Sequence, residues 1–314
     1  MIEIHGVTKS FEDKIAVNNL TLDIKEGELF VLLGESGSGK STLMRMINNL
    51  ISIDSGDIIV KGRSIQDFDP LELRRSIGYV VQNSGLFPNM TVAENIAIVP
   101  NLLKWDKAKI KDRVNEMLNI VRLDPNMYAH KRINELSGGQ AQRVGVARAL
   151  AADQDIILMD EPFGALDPIT RDEIQTEFMK IQKELNKTVV FVTHDVTEAM
   201  KLADRMAIMV HGELIIVGTP REIINSTDKF VRKFLGSDLV ITVLSKYPVA
   251  QFANENILEN CSNVLDDSLS MKEALSQMLQ YNYRAVNIRN SEGAIIGSIS
   301  LDTFLNFFTG SNAL

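Results

Sequence analysis

The segment GESGSGKS at residues 34–41 constrains the fold more than any other part of the chain. It satisfies the pattern G-x-x-x-x-G-K-[ST]. It follows an apolar run, LFVLL at 29–33, and opens a helix-like stretch, STLMRMINNL at 41–50. Strand, glycine loop and helix, in that order, are the setting in which this pattern cradles phosphate. Gly34, Gly37 and Gly39 let the backbone turn its N–H groups inward around an anion, and a helix opening near Lys40 adds the positive end of its dipole. In such a cradle Lys40 reaches the β- and γ-phosphates, the Ser41 hydroxyl ligates Mg²⁺, and Glu35, Ser36, Ser38 and Thr42 fill out the nucleotide-binding loop.

A matching second half lies about 120 residues on, in IILMDEP at 156–162. Four apolar residues bury a strand whose end presents two adjacent acids. At a strand terminus the two carboxylates can face different ways and take different jobs. Asp160 is expected to hold Mg²⁺, through water, and Glu161 to polarise the attacking water. An acidic pair alone reads as a solvated turn; the preceding phosphate loop turns the reading toward chemistry.

Around these motifs the chain alternates apolar strand-sized runs with helical spacing. Residues 2–24 alternate apolar and polar, with turn residues near EDK, and read as antiparallel strands. IGYVVQ at 77–82, DIILMD at 155–160 and TVVFVTH at 188–194 read as further strands. Val114, Leu118 and Val121 share one helical face, and MAIMVHGELIIVG reads as a hairpin turning at His211-Gly212. The pattern predicts an α/β fold with a mostly parallel sheet covered on both faces.

Composition narrows the partners. The net charge of −8 argues against a duplex nucleic-acid surface, because phosphate contacts need a basic footprint. Cys261, the single cysteine, cannot form an internal disulfide and reads as a small apolar group in a reducing cytosol. The start, MIEIHGVTKSF, carries no secretory pattern, and no run approaches 18 apolar residues. The expectation is a chain that does not span a membrane but can dock on a protein that does.

The stretch ELSGGQAQRVGVARAL at 135–150 then poses a question, since Ser137, Gly138 and Gly139 form a second phosphate-holding device before a second helix. With GESGSGKST and ILMDEP, LSGGQ at 136–140 resembles the ATP-binding cassette (ABC) ATPases over residues 1–236. Gln82 matches that family's glutamine loop, and GALD at 164–167, with Asp167, the loop after the acids. His194 matches its switch histidine, and Phe11 the aromatic that stacks on adenine. Taken singly, His194, Gln82 and Phe11 would read as a half-buried histidine, a surface amide and a core ring; their common order favours function. The resemblance implies a P-loop NTPase head with an antiparallel β subdomain and a helical subdomain. It also implies a head-to-tail dimer of two identical copies, in which Ser137, Gly138, Gly139 and Gln140 serve the γ-phosphate of the partner's ATP. Lys40, Gln82, Glu161 and His194 are then the catalytic set, with Ser41, Gln82 and Asp160 at Mg²⁺. QAQR stands where relatives often have QQQR, and Ala141 is compatible with a helix.

A finer resemblance, in LELRRSIGYVVQNSGLFPNMTVAENIAIVPNLLKW and LMDEPFGALDPITRDEIQTEF, is to ATPases of importers of quaternary amines: glycine betaine, carnitine, choline and related osmoprotectants. It implies a peripheral protein on the inner face of the plasma membrane. Its partners are integral-membrane permease subunits and, indirectly, a substrate-binding protein. Residues 84–105, with Leu86, Phe87 and Trp105, are candidates for the groove that accepts a permease helix, with core packing as the competing reading. A soluble ABC machine and a nucleotide-sensing interaction module remain the alternatives. The character changes near FLGSDL, placing a boundary at 236, and residues 237–314 resemble a single cystathionine-β-synthase (CBS) repeat, helix, strand, Gly turn, strand, helix. Four basic residues, Lys246, Lys272, Arg284 and Arg289, against eight acids there favour a dimerisation module over an electrostatic membrane anchor.

Overall fold

A computed structural model describes residues 1–12, 14–81, 85–164, 166–235, 244–245, 247–254, 256–258, 261 and 263–304. The chain divides into two compact units, the first being Met1–His194 with Asp204–Ile215, the second Asp195–Ala203 with Ile216–Leu314.

In the first unit, β1 (Ile2–Phe11) and β2 (Lys14–Ile24) form the expected antiparallel pair, joined by β4 (Ser55–Val60) and β5 (Arg63–Ser64) in the order β2-β1-β4-β5. Alternating burial along β1, with Ile2, Ile4 and Val7 inward, fixes the register. The second sheet holds β3 (Leu29–Leu33), β6 (Ile77–Val80), β7 (Ile156–Asp160), β8 (Thr188–Thr193), β9 (Arg205–Val210) and β10 (Glu213–Gly218), in the order β10-β9-β3-β8-β7-β6. The neighbours from β6 to β9 all pair parallel. Every residue of β3, β7 and β8 is buried, which is why these stretches read as unbroken Val/Ile/Leu/Phe runs rather than alternating ones. The fold therefore holds one antiparallel and one largely parallel sheet, as expected.

The expected hairpin turns where predicted, with His211 at φ 49° and Gly212 at φ 86°, the left-handed pair that a tight two-residue turn requires. The helix Lys107–Ile120 buries Val114 and Leu118, and Asp106 caps it through the N–H of Ala108 at 2.8 Å.

Register between parallel strands positions the site. Leu33 pairs with Thr193 and Asp160 with Val192. The residues that leave these strands, Gly34, Glu161 and His194, therefore emerge side by side at the carboxyl edge of the sheet, where open α/β sheets hold ligands.

The second unit contains the sheet β11 (Val264–Asp266), β12 (Ala285–Arg289) and β13 (Ile295–Ser300), in sequential order. Sequence reasoning found β12, β13, the Gly293 turn and the helix Met271–Gln280; it missed β11, which pairs parallel to β12. Asn287, nearly buried, ties this sheet to the preceding chain, donating to the carbonyls of Leu258 and Cys261 and accepting from Leu258 N at 3.0 Å. Cys261 is half-buried, as its apolar reading anticipated. Residues 301–304 are helical. Among the described residues no helix is long and apolar enough to cross a membrane.

Candidate ATP site

Beyond β3 the chain turns through residues 34–39 into the helix Lys40–Ile47, whose N-cap, Gly39, offers no side-chain cap. The first N–H groups of that helix are left for an anion. Ser38 and Lys40 are buried within the loop, whereas Glu35, Ser36 and Gly37 are exposed and Ser41 and Thr42 half-buried. Lys40 Nζ donates to the carbonyls of Gly34 and Glu35, both at 2.8 Å, and to Ser38 Oγ at 3.2 Å. Burial pushes the Lys40 pKa down, while the charges of Glu161, Asp160 and Glu35 oppose that shift. The ammonium is thus held in a dry pocket beside three acids, where an opposite charge is felt more strongly than in water.

Ser41 Oγ donates to Asp160 Oδ1 at 3.0 Å, which joins the loop to the end of β7. Burial pushes the Asp160 carboxyl up, the Ser41 hydrogen bond pulls it down, and Glu161 adds to the rise. Glu161 does not continue the strand. Its φ is 48°, in the left-handed region, and its N–H donates to Val192 O at 3.0 Å. The two acids diverge by this turn of the backbone, a different device from the alternation of strand faces that the sequence suggests. His194 Nδ1 lies 2.9 Å from Glu161 Oε1. A carboxylate only accepts, so Nδ1 carries the proton in this pair.

The expected residues Gly34, Ser38, Lys40, Ser41, Asp160, Glu161 and His194 are therefore brought together. Others stand apart. Ser137 caps the helix Gly138–Leu150, accepting from Gln140 N at 3.2 Å while Gln140 Oε1 accepts from Ser137 N at 3.0 Å. Gln140 Nε2 donates to Tyr128 Oη. Among the described residues no hydrogen bond joins residues 137–140 to the loop of the same chain. Ser137 and Gly138 are exposed, so the N-terminus of this helix is open to a group from outside. Asp167 caps the helix Pro168–Glu184, accepting from Thr170 N at 3.0 Å, and this bond holds its carboxyl below the usual range. Phe11 is 45% exposed, with Lys9 Nζ over its ring, 5.4 Å from the centre. Gln82 lies outside the described residues.

Sequence reasoning missed one feature. Gln142 Nε2 donates to Glu161 O at 3.0 Å; only its neighbourhood to the signature could have drawn attention to it. A groove of about 1200 Å³ opens among the helices Val92–Ile96, Ile98–Leu102, Lys107–Ile120 and Pro125–Tyr128, its wall including Met90, Ile98, Leu102 and Val114. Leu86, Phe87 and Trp105 are not in its lining. Leu86 is half-buried and Phe87 is exposed; Trp105 carries Lys109 Nζ 4.0 Å from its ring centre.

Comparison with known proteins agrees with this geometry. Residues 17–164 match the ABC transporter family. The chain is 46% identical over 304 residues to the choline transport ATP-binding protein OpuBA of Bacillus subtilis (strain 168), covering 96% of this chain and 79% of that protein. It is 43% identical over 310 residues to the glycine betaine uptake system ATP-binding protein YehX of Escherichia coli (strain K12), covering 97% of this chain and 99% of that one. Among solved structures it resembles the ATP-binding cassette MJ0796, a dimer in a post-hydrolysis state bound to ADP and Pi. That match has 36% identity and a TM-score of 0.66 over 70% of this chain and 99% of that one. A complete phosphate loop, an acid pair at the end of β7 and these relatives lead to one conclusion: the chain belongs to the ABC transporter family and is one of its ATPases.

Proposed function

We propose that the chain is the ATP-hydrolysing subunit of an importer of quaternary amines, of the glycine betaine, carnitine and choline class, working through a separate permease. The observation that carries this reading is the extent of the similarity. It runs through 96% and 97% of this chain to proteins named for choline transport and glycine betaine uptake, well past the 17–164 segment that matches the ABC transporter family. A soluble ATPase with a nucleotide-sensing module would have no reason to match such transport proteins from end to end.

Two copies sandwich each ATP. The loop of one supplies Lys40 and the backbone cradle, and the exposed N-terminus capped by Ser137 in the other supplies the N–H groups that meet the γ-phosphate. Ser41 Oγ and Asp160 Oδ1, 3.0 Å apart, are hard oxygen donors, and the charge-averse surroundings of the Asp160 carboxylate favour a cation beside it. One hydroxyl and one carboxylate plus substrate phosphates suit Mg²⁺, which when bound neutralises phosphate charge. Gln82 completes that set in this reading. Glu161 takes the proton of the attacking water, His194 contacts the γ-phosphate and Phe11 stacks on adenine. Because the γ-phosphate joins the two copies, its loss on hydrolysis removes the contact that favours the closed dimer. The groove among residues 89–130 receives the permease. That docking places the chain at the cytoplasmic face of the membrane, with the substrate-binding protein acting only through the permease. Residues 237–314 form a CBS-like dimerisation or regulatory domain.

The test is reconstitution with the permease in proteoliposomes. A betaine-type amine, delivered with its binding protein, is expected to raise ATP turnover several-fold over the amine-free rate. Failure of the chain to co-purify with any multi-span membrane protein, with no amine stimulating turnover, would sink the proposal. A second expectation concerns the tail. Deleting residues 240–314 leaves basal ATPase intact and alters assembly or the response to conditions; an inactive truncated head contradicts that assignment.

A further inference from the structure

The helix Gly138–Leu150 begins at the Ser-Gly-Gly segment and sends three side chains to main-chain carbonyls. Gln142 Nε2 donates to Glu161 O at 3.0 Å. Arg143 Nη1 reaches Val121 O and Arg122 O at 3.4 and 3.3 Å, and Arg148 Nη1 reaches Gly85 O at 2.7 Å. The helix is thus anchored along its length. Gln142 is only 7% exposed, and a buried carbonyl stripped of its donor loses more than a surface one.

The acceptor of the Gln142 bond is unusual. Glu161 sits at φ 48°, a conformation few residues other than glycine adopt. Such strain persists only where the surroundings over-determine it. The bonds that do so include Glu161 N to Val192 O at 3.0 Å, Glu161 Oε1 to His194 Nδ1 at 2.9 Å, and two to the carbonyl, from Gln142 Nε2 at 3.0 Å and from Gly164 N at a longer 3.4 Å. Releasing φ from the left-handed region would swing Cβ, and the carboxylate with it, away from the end of β7.

We infer that Gln142 is a positioning residue. Through the Glu161 carbonyl it locks the backbone that aims this chain's general base, and it ties that base to the helix whose first turn grips the partner's ATP. The second part rests on the sandwich dimer proposed above. One helix per copy then serves both nucleotide sites, its first turn at the partner's ATP and Gln142 at its own copy's base.

The full-length chain carrying Gln142→Met keeps side-chain volume and loses the donor. Its kcat is expected to fall about 10- to 100-fold at unchanged KM for ATP, the scale of a slightly misplaced catalytic group. Unchanged kcat, or a matching loss of ATP affinity, overturns the inference. Mixed dimers separate it from the sandwich reading. Gly138→Asp puts a carboxylate against the partner's γ-phosphate, and a Cβ at Gly138 meets nothing within 4 Å, so the helix accepts it. With Gly138→Asp in one copy and Gln142→Met in the other, both lesions fall on one site, and half of the bound ATP turns over at the unmodified rate in a single-turnover experiment. With both changes in one copy, each site carries a lesion and neither keeps that rate. Half-turnover in both arrangements overturns the role of Gln142. The reverse pattern, with only the same-copy arrangement retaining a fast half, overturns the sandwich and leaves Gln142 acting on its own base. Any other pattern overturns the assignment of Gln142 to its own copy's base.

Discussion

Glu161→Gln is expected to bind ATP normally and to hydrolyse it about 10²- to 10⁴-fold more slowly, the usual scale for a lost general base. The substitution is nearly isosteric, and the bonds that hold the backbone at this position, Glu161 N to Val192 O and Gln142 to Glu161 O, involve no carboxylate. The amide oxygen of glutamine can still accept from His194 Nδ1, so the 2.9 Å contact survives. What disappears is the capacity to take a proton from water. Lys40, Ser41 and Asp160 stay as they are, so the phosphate cradle keeps its affinity. Slow hydrolysis with intact binding then makes the variant accumulate as an ATP-bound dimer, because hydrolysis is the step that releases it. Nucleotide binding by equilibrium dialysis, phosphate release and size-exclusion chromatography in ATP check the three parts. Near-normal turnover removes Glu161 from its role.

Much of this site was legible because its parts are short and local. A glycine loop between a buried strand and a helix is a pattern within a dozen residues, and the buried runs of β3, β7 and β8 carry enough apolar residues to identify themselves. The His211-Gly212 turn announces itself through residue types that tolerate positive φ. What the sequence hid depends on partners far along the chain. β11 is three residues long, too short for any period to show, and is a strand only because β12 offers it a ladder. The left-handed turn of Glu161 bonds with Val192, His194 and Gln142, far along the chain, as well as with the nearby Gly164 N. The groove lined by residues 89–130 shares residues 89–102 with the 84–105 stretch expected to receive a permease helix, but Leu86, Phe87 and Trp105 do not line it. Large apolar residues mark burial or exposure equally well, and only packing decides which.

Gly39→Ala is expected to destabilise the head by roughly 2–5 kcal/mol, combining left-handed strain with overpacking, and to abolish ATP binding. Two independent facts make this position intolerant. Its φ is 104°, outside the range an L side chain adopts comfortably, and an added Cβ would lie 2.2 Å from Ala16 O and 2.8 Å from Met209 Cε. The methionine tip could shift. The carbonyl belongs to the backbone of β2 at an irregularity flanked by Ile15 and Val17, which pair with Ser10 and Lys9 of β1, so the loop moves more readily than the strand. Movement there is costly to function, since Gly39 is the N-cap of the helix Lys40–Ile47 and accepts from Leu43 N at 2.9 Å. Lys40 and Ser41, the next two residues, would be carried off the phosphates and off Asp160. Gly37→Ala is the internal control: its φ is also positive, 79°, but a Cβ there meets nothing within 4 Å. It carries only the strain, about 1–2 kcal/mol, and the loop keeps its place. Chemical denaturation and ATP titration of the two variants side by side decide the matter. If Gly39→Ala matches Gly37→Ala in midpoint and affinity, the antiparallel sheet does not buttress the loop, and the close approach of Ala16 has no functional weight.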